Sequence, residues 1–256
     1  MKTPVTASSL AVLGLAMTAV FTPTARAHDA ASPNPDQILR QMSDKLSGAQ
    51  QLSFKAHRTM DAALTMNGAA ISNARIEATV QRPNRIAARA VGGGDARRFV
   101  FDGRSLTVHD EKNKFYATVP MRKTIDGLVD SLDEDYGFTL PLAEFILSNP
   151  YKDLRHQSEV ITYRGRGAVR AGLFSPSVDC HRLSLSSGLA DAELWVGVAD
   201  HLPHKFVVTF KKHPDWPQLK AEFSSWNLAA KPSDKDFAFV APKGAMQIEM
   251  LKTKKN

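Results

Sequence analysis

Cys180-His181 places a thiol beside an imidazole, the pair of residue types that serves nucleophilic catalysis. Both lie in a run, 178–185, that reads as a strand. Strand neighbours point to opposite faces, so the two cannot form an internal dyad, and Cys180 reads as a small buried hydrophobe. His201, His204 and His213 are the next candidates, for a metal. They lack a Cys or acidic partner at a recognisable ligand spacing, so turn and surface histidines are the stronger reading and no metal is expected. Asp133-Glu134-Asp135 suggests calcium, but consecutive acids on a helix diverge and no Gly-turn ligand loop follows. Ser186-Ser187-Gly188 lacks the nucleophile-elbow pattern and reads as a hairpin turn. Gly92-Gly93-Gly94 is followed by no Lys-Ser/Thr and opens no helix, so it is not a phosphate loop. No nucleophile, base and orienter can be assembled, so the expectation is a non-enzymatic protein without a cofactor.

The chemistry that remains is burial. Phe54, Met60 and Leu64 alternate on one strand face. Leu128, Leu132, Leu142, Phe145 and Ile146 recur at helical spacing. Together these eight are candidates to line a pocket for a hydrophobic or amphipathic guest, Met and Leu being adaptable against an alkyl chain. The same residues packed on each other would make a filled core, each large side chain contributing ~1.5–3 kcal/mol. Both readings stay open. Arg58, a guanidinium on the otherwise apolar face, and Arg85 and Arg89 are candidates for an anionic head group. Solvated edge arginines that discourage sheet-to-sheet pairing are the plainer account of the latter two.

The elements that must position these residues follow from period and punctuation. Asn34-Pro35-Asp36-Gln37 opens a helix with apolar face Ile38, Leu39, Met42 and Leu46, and Gly48 stops it. Alternation from Leu52 to Met66 predicts one long half-buried strand, with a hairpin turn at Asn67-Gly68. Strands around 76–80, 86–90, 97–101, 105–109 and 115–119 complete a meander. At Lys123–Tyr151 the period changes to about 3.6. Ile125, Leu128, Val129, Leu132 and Tyr136 share one face, Gly137 breaks the run, Pro141 opens a second helix and Asn149-Pro150 ends it. Strands resume at 160–163, followed by a turn at 164–167, then at 178–185, 193–198, 203–211 and 219–228. A short last strand and turn fall within 237–244. The class is α+β, mainly antiparallel β. Eleven or so antiparallel strands curl into a barrel or a strongly bent sheet.

Compartment comes from the first residues. Lys2, the apolar run Leu10–Phe21 and Ala25-Arg26-Ala27 read as a signal peptide cut after Ala27. Lys2 and Arg26 leave with it, so 33 basic residues become 31 against 26 acidic, a net charge of +5. That moderate excess suits anionic head groups or an acidic partner, and lacks the basic runs with interleaved aromatics of a nucleic-acid binder. One cysteine permits no internal disulfide. The expected organisation is a leader over 1–27 and one domain over 28–256, ordered from about 34 to 250.

Several phrases together resemble the outer-membrane lipoprotein carrier superfamily. They are Phe99-Val100-Phe101-Asp102-Gly103-Arg104-Ser105-Leu106, Leu194-Trp195-Val196 with Leu202-Pro203-His204-Lys205, and Phe237-Ala238-Phe239-Val240-Ala241-Pro242-Lys243-Gly244. Tyr136-Gly137-Phe138, Asn149-Pro150-Tyr151 and Ser225-Trp226-Asn227-Leu228 make the chain most similar to a subgroup of predicted periplasmic proteins of unknown function, domain of unknown function family 2092. The resemblance implies an unclosed half-barrel with an N-terminal helix and a central helical lid or plug. It implies a periplasmic carrier for lipid or lipoprotein acyl chains, with a membrane-associated protein as a further partner and no nucleic acid. The alternative it leaves is a protein-interaction or sensor module with a filled core. Arg58 and Arg75 are both candidates for the arginine that locks the carrier lid.

Overall fold

The computed structural model describes residues 32–64, 73–138, 140–170, 172 and 176–253. The leader and its cut after Ala27, the end of the first expected strand at Thr65-Met66, and the Asn67-Gly68 turn lie outside these residues.

The first helix, α1 (Pro35–Ser47), begins where the sequence places it. The Asn34 side chain accepts the N–H of Asp36 at 2.9 Å, Pro35 occupies the first turn, and Ile38, Leu39, Met42 and Leu46 are buried. Six strands follow: β1 (Gln51–Met60), β2 (Asn73–Gln81), β3 (Arg85–Gly92), β4 (Asp95–Phe101), β5 (Ser105–Asp110) and β6 (Phe115–Pro120). Then come α2 (Ile125–Tyr136) and α3 (Pro150–His156). The chain continues through β7 (Val160–Val169), β8 (Val178–Ser186), β9 (Ala190–Gly197), β10 (Pro203–Phe210), β11 (Gln218–Asn227) and β12 (Met246–Gln247).

All twelve strands form one sheet in the order β12-β6-β5-β4-β3-β2-β1-β11-β10-β9-β8-β7. Antiparallel pairing of β1 with β11 joins the two meanders, with Phe54 opposite Trp226. Only β12 runs parallel to its neighbour, β6. The end strands β12 and β7 do not pair, so the barrel is unclosed. A flat sheet of twelve strands at ~4.8 Å spacing would be roughly 50 Å wide. Yet Ile86 of β3 and Leu183 of β8 share one buried cluster with α1 and α2. The sheet therefore curls around the helices, and one face of it becomes an inner wall.

The connection from β6 to β7 explains the insertion. Those strands lie near opposite ends of the sheet, so residues 121–159 must cross the open side. Their apolar stripe is buried against the inner wall while crossing.

Five expectations are corrected. The first strand ends at Met60, not Met66, because Asp61 turns to bond Gln218 of β11 through both its N–H and its carboxylate, and 62–64 forms a 3-10 turn. No α-helix starts at Pro141. Leu142 sits in the left-handed region at φ 67°, which an α-helix cannot contain, and only a 3-10 turn over Ala143–Phe145 follows. Asn149-Pro150 starts a helix rather than ending one: Asn149 caps α3 by accepting the Lys152 N–H at 2.9 Å. Residues 164–167 form no turn but a bulge inside β7, with Gly165 at φ 87° and the register shifting between Tyr163 and Arg166. The last strand is at Met246–Gln247, whereas 234–237 is a 3-10 turn whose Phe237 is buried.

Candidate binding site

Inner-wall parity decides which side chains meet. Along β1, Leu52, Phe54, Ala56 and Arg58 are the buried set. Phe54 packs edge-on to Phe223 of β11 (5.6 Å between centroids) and against Trp226 (4.9 Å), and Phe223 stacks on Trp226 (5.0 Å). Into this aromatic wall the insertion projects Phe145, perpendicular to Phe206 and nearly so to Phe223, at 5.2 Å from each. Leu128, Leu132 and Phe145 are 0% exposed, and Leu142 and Ile146 are also buried. Six of the eight candidate lining residues, Phe54, Leu128, Leu132, Leu142, Phe145 and Ile146, therefore belong to one buried cluster. Met60 and Leu64 pack on its rim, partly buried.

The head-group candidates separate. Arg58 lies on the inner wall, only 7% exposed. Desolvation, and then the like charge of Arg97, weaken its hold on its proton. Arg85 and Arg89 alternate with Ile86, whose side chain is buried inside, so they emerge on the outer face. Arg85 pairs there with Asp234, and Arg89 makes a two-pronged bridge to Glu111 at 2.9 and 2.6 Å. Neither joins the cluster around Phe145. Arg75 is exposed on the outer face of β2.

The segment from Gly137 to Asn149 is irregular where described, and polar ties hold it. Arg82, in the β2–β3 turn, donates to the carbonyl of Ile146 at 2.8 Å and to that of Ala49 at 3.2 Å. Asp126 of α2 accepts both the N–H and the hydroxyl of Ser148. The Ile125 N–H bonds the Pro83 carbonyl at 2.9 Å, and Ser43 of α1 accepts the Tyr151 N–H at 3.0 Å. Sequence reasoning missed Arg82; its signal was a long cation beside Pro83-Asn84 in a turn facing the insertion. Beside Phe145, one carboxylate oxygen of Glu144 is enclosed without a hydrogen-bond partner. Burial, with Asp153 nearby, pushes this carboxyl up to about 7.

The candidates for other chemistry are placed as follows. Cys180 is buried with its thiol pushed up to about 12 by burial, and its S–H points to the Val178 carbonyl. His181 lies on the opposite face, within 3.3 Å of the Tyr163 hydroxyl. His204 bonds Asp200 at 2.9 Å. Among the described residues no three His, Cys, Asp or Glu side chains are grouped to hold a metal, and no helix is long and apolar enough to cross a membrane.

A protein-family model described as "Predicted periplasmic protein (DUF2092)" matches residues 35–251. No curated protein matches the sequence. Several solved structures are similar. An uncharacterized conserved protein from Thermus thermophilus has 10% identity over 83% of this chain and 97% of its own, with a TM-score of 0.46. The MucA/MucB complex of Pseudomonas aeruginosa gives 14% identity over 82% of this chain and 62% of the matched chain, at 0.44. A LolA superfamily protein from Nitrosomonas europaea gives 12% over 81% of this chain and 99% of its own, at 0.34. All three scores lie below 0.5.

Proposed function

We propose that this chain, which belongs to the DUF2092 family of predicted periplasmic proteins and works in the periplasm, is a non-enzymatic binding protein for an amphipathic ligand. Lipid or lipoprotein acyl chains are the class of guest. The chain would lie between the inner wall and the insertion, where Phe145, Leu142 and Ile146 now sit. The observation that carries this reading is the character of the segment that fills the site. It inserts a phenyl ring between Phe206 and Phe223, yet it is not an α-helix and hangs on a few polar ties. A plug with little secondary structure of its own opens at lower cost than the sheet does. Its apolar contacts are of the kind an alkyl chain replaces without leaving a void.

Binding would withdraw the plug, with Gly137 and the Asn149-Pro150 junction as hinges. Gly137 already adopts a left-handed conformation at φ 59°. Arg58, on the inner wall, is the residue suited to an anionic head group; Met60 and Leu64 are the rim. Cys180 and His181, with a thiol held protonated and on opposite faces, supply no nucleophile to this reading.

One observation favours a second reading. The core is already filled by Leu128, Leu132 and Phe145. In that case the protein is an interaction or sensor module, the insertion a permanent part of its core. Organic extraction and mass spectrometry of protein purified from its own periplasm, with uptake of a fluorescent fatty acid, separate the two. A reproducible co-purifying lipid and saturable uptake support the carrier reading. An empty protein that takes up no fatty acid supports the module.

A further inference from the structure

Eight large apolar side chains are exposed among the described residues, and four of them fall on the last stretch of chain. They are Val240 (82% exposed), Met246 (59%), Ile248 (50%) and Leu251 (72%). Single exposed apolar residues are ordinary; half of them on twelve consecutive residues is a patch. A fifth, Phe138, lies at the end of α2 beside the same stretch. The tail is tied there: the Thr253 N–H donates to the Asp135 carbonyl at 2.8 Å, Lys252 reaches the Asp135 carboxylate at 3.2 Å, and Thr253 abuts Gly137.

The tail is held by Phe239 against His109 and Tyr116 and by Met250 against the core, which leaves the exposed apolar side chains facing outward. After Phe237, buried beneath the outer-face Arg85, the ladder of β12 with β6 has two pairs, Met246 with Phe115 and Gln247 with Tyr116. An open groove of about 520 Å³ runs between 247–250 and Thr118, Val119 and Pro120. Charge on the tail is mainly basic. Residues 240–256 carry Lys243, Lys252, Lys254 and Lys255 against Glu249, and the Lys252 pair with Asp135 is exposed and open to exchange.

We infer that residues 240–253 form a docking surface for an anionic lipid bilayer, Val240, Met246, Ile248 and Leu251 entering the interface while Lys243 and Lys252 meet lipid phosphates. Apolar side chains interspersed with lysine are what interfacial segments carry, and the two contributions add. A strand-adding protein partner fits less well, because the chain's own β12 already covers that part of the β6 edge. The surface sits beside the C-terminal end of α2. The inference rests on the tail alone and holds or fails whether or not a guest is carried.

Sedimentation of the full chain with vesicles tests it. One set is phosphatidylglycerol and phosphatidylcholine in equal parts; the other is phosphatidylcholine alone. Binding to the mixed vesicles is expected, weakened about tenfold or more in pure phosphatidylcholine and by added salt. The triple variant Met246→Ser/Ile248→Ser/Leu251→Ser should lose binding about tenfold or more, while its unfolding midpoint stays near wild type because those side chains are exposed. A single-site variant, Leu251→Ser, should fall between the two. Absence of binding to mixed vesicles overturns the inference, as does a correctly folded triple variant that binds as well as wild type. So does a patch that drives self-association of the chain and gives no vesicle affinity.

Discussion

Phe145→Ala removes the ring at the centre of the proposed plug. The side chain is fully buried, 5.2 Å from both Phe206 and Phe223. Losing its burial costs ~2 kcal/mol. A phenyl-sized void of about 100 Å³ that does not collapse adds ~2 kcal/mol at ~24 cal/mol per Å³. The expected loss is therefore ~4 kcal/mol, within the ~3–5 kcal/mol typical of such truncations. Urea unfolding followed by tryptophan fluorescence reads it, since Trp226 stacks on Phe223 and Phe54 within the site. The void is apolar and faces the wall where a guest would lie, so the variant should take an alkyl chain without first expelling the ring. Oleate at a hundredfold excess over its dissociation constant would restore ~2.7 kcal/mol. Wild type should gain less at the same concentration, because displacing its own Phe145 opposes binding. A loss below ~1 kcal/mol would mean that Phe145 does not hold the insertion. A variant that gains no more from oleate than wild type would refute the idea that guest and ring compete for one place.

Two further outcomes concern the same segment. Glu144 has its carboxyl raised from 4.5 to about 7 in the folded state, so the folded chain binds that proton more tightly than the unfolded one. Its contribution to stability is full below pH 4.5 and is lost as pH rises to about 7, a difference of up to ~3 kcal/mol. Glu144→Gln should flatten that part of the stability profile and be the more stable protein at pH 8; an unchanged profile would show that the carboxyl is solvated. Arg82→Ala removes two charge-assisted bonds to carbonyls of the insertion and of the α1–β1 connection, and should cost ~1–3 kcal/mol. Limited proteolysis should then cut first between Gly137 and Asn149. Cutting first elsewhere would deny Arg82 its role as a tie.

Local signals carried much of the fold. Asn34-Pro35 and Gly48 bound α1 as read, and the Asp102-Gly103 turn is enforced: Gly103 sits at φ 86°, where a Cβ would collide with the Asn84 amide. The same vocabulary misled at Asn149-Pro150, because Asn-Pro after an apolar run reads equally as a stop or as a capped start. Only the burial of Leu154 and the Lys152 bond to Asn149 decide it. Leu142 in the left-handed region is invisible to pattern, since nothing about a leucine announces φ 67°. The β1–β11 pairing spans most of the chain and is set by the aromatic wall, which no local window contains. Of the site, Leu128 and Leu132 were legible from helical spacing, whereas Phe145 and Ile146 are buried from a 3-10 turn and its end, not from the helix their spacing predicted. Arg85 and Arg89 lie outside, in line with the plainer account of them as solvated arginines, and their alternation with Ile86 is the signal for it. Arg82 acts through a contact 64 residues away in sequence, beyond the reach of any spacing rule.

The central claim is that a guest takes the place of the insertion's apolar side chains. Amide hydrogen exchange by mass spectrometry, with and without saturating oleate, tests it directly. The account predicts faster exchange across 140–149 on binding, with β1, β2, β10 and β11 as protected as before or more so. Saturable oleate binding that leaves 140–149 fully protected would contradict it.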